Sequence, residues 1–112
     1  MNSAYSKTMD KARALKSAKE FAAVVTEKFS GVRVYLFGSY AKGTFNENSD
    51  IDIAVVFEDF DNLLEIQLEL MRLRRKIDNR IEPHPFRECD FDRNNPVVNE
   101  ILEYGEQIRK VA

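Results

Sequence analysis

Asp50 and Asp52 stand two residues apart at the start of the apolar run IDIAVVF, residues 51–57, which reads as a strand. Side chains alternate across a strand, so the two carboxylates project to the same side. Two unit negative charges about 4 Å apart repel by roughly 4 kcal/mol at an effective dielectric near 20. That is a large share of a small domain's stability. A hard divalent cation removes the cost, because magnesium prefers carboxylate oxygens, keeps some of its waters and completes its octahedron with phosphates. Taken alone, an Asp-x-Asp pair also fits a loop-ending Asp50 followed by an Asp52 solvated at a strand terminus.

The residues upstream favour the first reading. Gly38-Ser39 lies where a strand, Val32 to Phe37, gives way to a short helical turn, Ser39 to Lys42. Free amides and the positive end of the peptide dipoles then face one spot, which suits an anion. Gly38 lets a phosphate approach the backbone, and the Ser39 hydroxyl can donate to a phosphate oxygen. Lys42 sits over such phosphates or is simply a solvated lysine. Gly38 and Gly43 have the spacing of a P-loop, but Thr44-Phe45 follow where that motif needs Lys and then Ser or Thr. This is not a P-loop. Gly43 and Thr44 are expected to shape the turn, with Ser49 orienting the aspartate after it.

The stretch GSYAKGTFNENSDID, a Gly-Ser pair separated by ten residues from Asp50-x-Asp52, resembles the signature of the nucleotidyltransferase superfamily that includes DNA polymerase beta. In particular it resembles the minimal nucleotidyltransferase domains of bacteria and archaea. The resemblance implies an α/β nucleotidyltransferase fold, a small mixed β-sheet flanked by helices. It implies an enzyme with two Mg2+ ions that transfers a nucleoside monophosphate, AMP from ATP, and releases pyrophosphate. Gly38 and Ser39 would hold the terminal phosphates, and Asp50 and Asp52 both metals. A third carboxylate on a later strand would complete the site, and Glu82 in RIEPHPF is the best match.

The residues themselves agree with that chemistry. A metal pair stabilises both the attacking and leaving oxygens of an in-line displacement, and Glu82 can also take the proton of the attacking hydroxyl if within hydrogen-bond reach. Asp78 competes for the third position but falls where a helix should end. His84, the one histidine, shares the strand parity of Glu82 and is either a substrate or metal-shell contact or a local structural feature between two prolines. Cys89 reads as an inert thiol. Arg72, Arg74, Arg75 and Lys76 read as a basic cluster complementing a helix C-terminus.

The acceptor is not legible in the chain. The resemblance implies one protein partner above others, a helical HEPN-type toxin that would receive AMP or be neutralised by occlusion alone. A small-molecule acceptor, as in aminoglycoside nucleotidyltransferases of similar fold, would need a pocket supplied by a partner or by a homo-oligomer.

Other segments must position these groups. Leu15, Ala18, Ala22, Val25 and Phe29 recur at helical steps and predict a helix over Tyr5 to Phe29. Asp61 or Asn62 can cap a helix running to about Ile77. It carries two apolar stripes, Leu63, Ile66, Leu70, Leu73 and Ile77 on one side and Leu64, Leu68 and Met71 on the other. The second stripe is expected beneath the C-terminal helix, or against a partner subunit. Arg80 to Phe86 is extended, with two prolines that place it at a sheet edge or on a strand that leaves the sheet early. Asn95-Pro96 starts a last helix whose Val97, Val98, Ile101 and Leu102 face inward and which Gly105 ends.

Composition narrows the class. With 112 residues, 44% hydrophobic and 32% charged, the chain is expected to fold as a single α/β domain over residues 1–112. A formal net charge of −2 disfavours an extended nucleic-acid surface. One cysteine cannot form an internal disulfide. The N-terminus has no apolar signal core, so a cytoplasmic protein without membrane contact is expected.

Overall fold

The computed structural model describes residues 5–109. Ser6 opens helix α1 (Lys7–Lys28) by accepting a hydrogen bond from the Met9 amide. Strand β1 (Arg33–Phe37) follows, then the short helix α2 (Ser39–Lys42) and strand β2 (Ile51–Phe57). Asn62 caps helix α3 (Leu63–Arg74), its side chain accepting from the Glu65 amide. Strand β3 (Ile81–Arg87), helix α4 (Pro96–Tyr104) and strand β4 (Glu106–Ile108) complete the described chain.

The sheet order is β3-β2-β1-β4. β1 is antiparallel to β2 and β4, whereas β2 and β3 run parallel and are joined by α3. The sheet is therefore mixed, with helices on both faces. β3 lies at the edge, where the missing N–H groups of Pro83 and Pro85 cost no ladder bonds. On its free side the Gln67 amide of α3 donates to the Pro83 carbonyl at 3.0 Å.

One face of the sheet presents Val34, Leu36, Ile51, Ile53, Val55, Phe57 and Ile81. It buries them against Ala14, Ala18, Phe21 and Val25 of α1 and Leu70 of α3. The other presents Tyr35, Phe37, Ala54 and Val56 to Ile101 of α4, flanked by Phe86 and Phe91. β2 is buried on both sides, as its near-continuous apolar sequence requires.

Three features differ from the sequence expectations. α4 packs on the sheet face opposite α3, so it does not cover the second stripe of α3. Leu64 and Leu68 are 66% and 54% exposed, and Leu63 of the first stripe is exposed as well. Val97 likewise points to solvent rather than inward. Finally, Gly105 ends α4 but leads directly into β4, a strand of three residues with no β-branched run to announce it. A Cβ at position 105 would press on the Ile101 and Leu36 carbonyls, which is why glycine is needed at this corner. No helix among the described residues is long and apolar enough to cross a membrane.

Candidate active site

The site begins where β1 stops. Gly38 has φ 72° and ψ −150°, a conformation reserved for glycine. A second constraint acts on the same atom. A Cβ built at position 38 would overlap Oδ2 of Asp52 and lie 3.1 Å from its Cγ. The Asp52 carboxylate thus rests on the bare backbone of the Gly-Ser turn.

Strand register gathers the rest. Phe37 pairs with Asp52 across β1 and β2, and Asp52 pairs with Glu82 across β2 and β3. These positions share the sheet face that α4 covers further along. At this end the buried residues Tyr35, Ala54 and Val56 are replaced by Asp52, Glu82 and His84. His84 Nε2 lies 3.2 Å from Oδ1 of Asp52 and 3.9 Å from Oε1 of Glu82. The ring meets Phe37 edge-on, with centroids 5.1 Å apart.

Asp50 is exposed and immediately precedes β2. Burial first, then the neighbouring carboxylates of Asp50 and Asp52, raise the proton affinity of Glu82; His84 opposes them. Asp50, Glu82 and His84 line a cleft of about 400 Å³ together with Gln67 and Arg74.

Other expected residues are placed differently. Lys42 leans toward α4, its Nζ 3.2 Å from Glu100 and above the Tyr104 ring. The Ser49 hydroxyl accepts from the Asn46 amide, so it closes its own turn rather than orienting Asp50. Asp78 is held by Ser17 and Arg80, away from the cluster. Cys89 is exposed.

A supporting network escaped the sequence. Asp10 of α1 is buried and accepts hydrogen bonds from Tyr5 at 2.7 Å, Tyr40 at 2.8 Å and Arg80 at 2.9 Å. Burial works against its charge, but Arg80 and the two tyrosines outweigh it and hold the carboxyl below its ordinary range. Burial and the same carboxylate push the Tyr40 phenol up to about 12. Lys7 and Lys11 donate to the Gly43 and Tyr40 carbonyls, at the C-terminal end of α2 where cations are favoured. α1 therefore fixes α2, which carries the Gly38-Ser39 turn. Through Arg80 it also fixes the start of β3, since the Ile51 amide bonds the Arg80 carbonyl at 2.8 Å.

Residues 18–108 match the family described as the nucleotidyltransferase domain. The chain belongs to that family. A Methanocaldococcus jannaschii relative provisionally named a protein adenylyltransferase is 41% identical over 59 residues, which cover 50% of this chain. The match spans 59% of that relative's length. A Sulfolobus solfataricus crystal structure, provisionally described as a nucleotidyltransferase, superposes with a TM-score of 0.73 at 26% identity, covering 98% of this chain and 92% of that one. A crystal structure of a toxin-antitoxin with AMP-PNP gives a TM-score of 0.62 at 25% identity, covering 83% and 73%. Family and fold thus agree with the expectation from Gly38-Ser39 and Asp50-x-Asp52.

Proposed function

We propose that the chain transfers AMP from ATP to a hydroxyl on a protein partner in a reaction that depends on divalent metal. The observation that carries this reading is the contact between Gly38 and Asp52. It joins the phosphate-binding turn and the acidic cluster into one site.

The acids fit a divalent cation. Asp52 and Glu82, with His84 beside them, each offer a ligand atom, all within 4.8 Å of one another. Asp50 adds a carboxylate against Glu82. Such crowding of negative charge is relieved by a divalent cation. Asp50, Asp52 and Glu82 would hold the metal. When bound, the metal neutralises charge on the attacking and leaving oxygens of phosphoryl transfer.

The protein's own groups supply the rest. The Gly38 and Ser39 amides and the Ser39 hydroxyl hold the terminal phosphates. An acceptor hydroxyl entering by the cleft attacks the α-phosphorus, and the bond to pyrophosphate breaks. The proton passes to Glu82, which is exposed at the cleft. Lys42, paired with Glu100 in the free chain, is the cation on the turn available to the phosphates.

A protein acceptor is supported by the name of the M. jannaschii relative. A toxin partner and an adenine nucleotide are supported by the solved toxin-antitoxin with AMP-PNP. Following the family resemblance, the partner is a HEPN-type toxin. Incubation of the chain with ATP, Mg2+ and the toxin encoded beside it should add the mass of AMP to the toxin. Asp50→Asn with Asp52→Asn should abolish that addition. A toxin bound tightly but never modified would mean neutralisation by occlusion, and transfer surviving the double substitution would refute the catalytic assignment.

A further inference from the structure

We propose that His84 is a direct ligand of the divalent cation, through Nε2, and that this nitrogen makes the site favour Mn2+ over Mg2+ more than a site built only of oxygens. The inference rests on the metal reading above and extends it to a residue outside the three-carboxylate set.

The distances from the nitrogen to each acid fall within the range of a coordination sphere. Around an ion with bonds of about 2.1 Å in an octahedron, adjacent donors lie about 3.0 Å apart and opposite donors about 4.2 Å apart. His84 Nε2 is 3.2 Å from Asp52 Oδ1 and 3.9 Å from Glu82 Oε1, between those limits. The nitrogen faces both carboxylates at once.

The imidazole is also held for the task. His84 lies between Pro83 and Pro85, which restrict the backbone, on a strand paired to β2 in register with Ala54. The Phe37 ring packs against it at 66° to its plane. A ring placed there for packing alone would not need to aim a nitrogen at two acids. Without a cation, Nε2 lies within hydrogen-bond distance of Asp52 Oδ1. In the metal-bound state the Nε2 lone pair would be the ligand and the ring proton would sit on Nδ1.

Nitrogen changes selectivity. Magnesium takes oxygen donors and binds imidazole poorly, whereas affinity for first-row ions rises from manganese onward with nitrogen in the donor set. Removing the imidazole should therefore weaken Mn2+ far more than Mg2+.

The chain has a single histidine, which makes the test direct. Tag-free protein is loaded with Mn2+ and examined by pulsed electron paramagnetic resonance for coupling to a bound imidazole 14N. Wild type should show the coupling, and His84→Gln should lose it. The same variant should lower Mn2+ affinity on the order of tenfold, with Mg2+ affinity changed by less than about twofold. His84→Gln keeps an amide able to donate to Asp52, so a hydrogen-bonding role alone would leave Mn2+ affinity intact. Bound Mn2+ without 14N coupling in wild type would overturn the proposal even if the variant failed to fold. Asp52→Asn separates the two levels of the argument. If Mn2+ binding ignores that substitution, the metal reading fails; if binding is lost there while wild type lacks the coupling, only the role of His84 fails.

Discussion

The backbone of Gly38 and the carboxylate of Asp52 occupy adjoining space that leaves no room for a Cβ. Position 38 is therefore constrained twice, by its positive φ and by the acid lying on it. Gly38→Ala should destabilise the fold by about 1–3 kcal/mol, the usual cost of a side chain in a glycine-only conformation. For a domain of this size that corresponds to a melting temperature lower by several degrees, roughly 4–8 °C per kcal/mol. Metal binding should suffer beyond that, because Asp52 must shift. Calorimetric melts and a Mn2+ titration on the same sample check both parts. A variant that binds Mn2+ like wild type would show that the contact is incidental.

Asp10 governs acid sensitivity. Its carboxyl is held below its ordinary range by Arg80, Tyr5 and Tyr40 despite burial. A depressed folded pKa contributes stability that is present above the unfolded value, about pH 4, and is lost as pH falls through the lower folded value. Asp78 behaves likewise: burial opposes its charge, but Arg80 and Ser17 outweigh it. Asp10→Asn should cost about 2 kcal/mol near neutrality and flatten the fall in stability below about pH 4. Denaturant titrations at several pH values give the slope; an unchanged acid limb would contradict the role assigned to Asp10.

Two leucines of α3 should part company. Leu70 is fully buried, and Leu70→Ala should cost about 2–5 kcal/mol. Leu68, 54% exposed, should tolerate Leu68→Ser with a change within about 0.5 kcal/mol. Equal losses for the isolated chain would mean that α4 covers this face after all.

Much of the fold could be read from local pattern. The Asn62 and Asn95 caps sit where helix periodicity begins, and Pro83 and Pro85 point to an edge strand because proline cannot complete a ladder. What stayed hidden depended on distance along the chain. Amphipathicity marks α4 as a packed helix but cannot say which sheet face it covers, and so Leu64 and Leu68 were expected under it. β4 pairs through backbone atoms and needs no strong strand formers of its own.

The candidate site divides in the same way. Gly38, Ser39, Asp50 and Asp52 lie within fifteen residues and follow one strand-turn-strand spacing. Glu82 and His84 join them only through the parallel register of β2 and β3, which parity suggests but does not fix. Asp10 had no signal at all. It lies 70 residues from Arg80 and 30 from Tyr40, in a helix turn that looks solvent-facing from composition.

The central claim is that the glycine-serine turn and the acids around Asp52 form one metal-dependent nucleotide site. Titration calorimetry with a non-hydrolysable ATP analogue tests it on wild type and Asp52→Asn, with Mg2+ and with a chelator. Binding should require Mg2+ and weaken at least about tenfold in Asp52→Asn. Equal affinity in the chelator, or in the variant, would contradict the account.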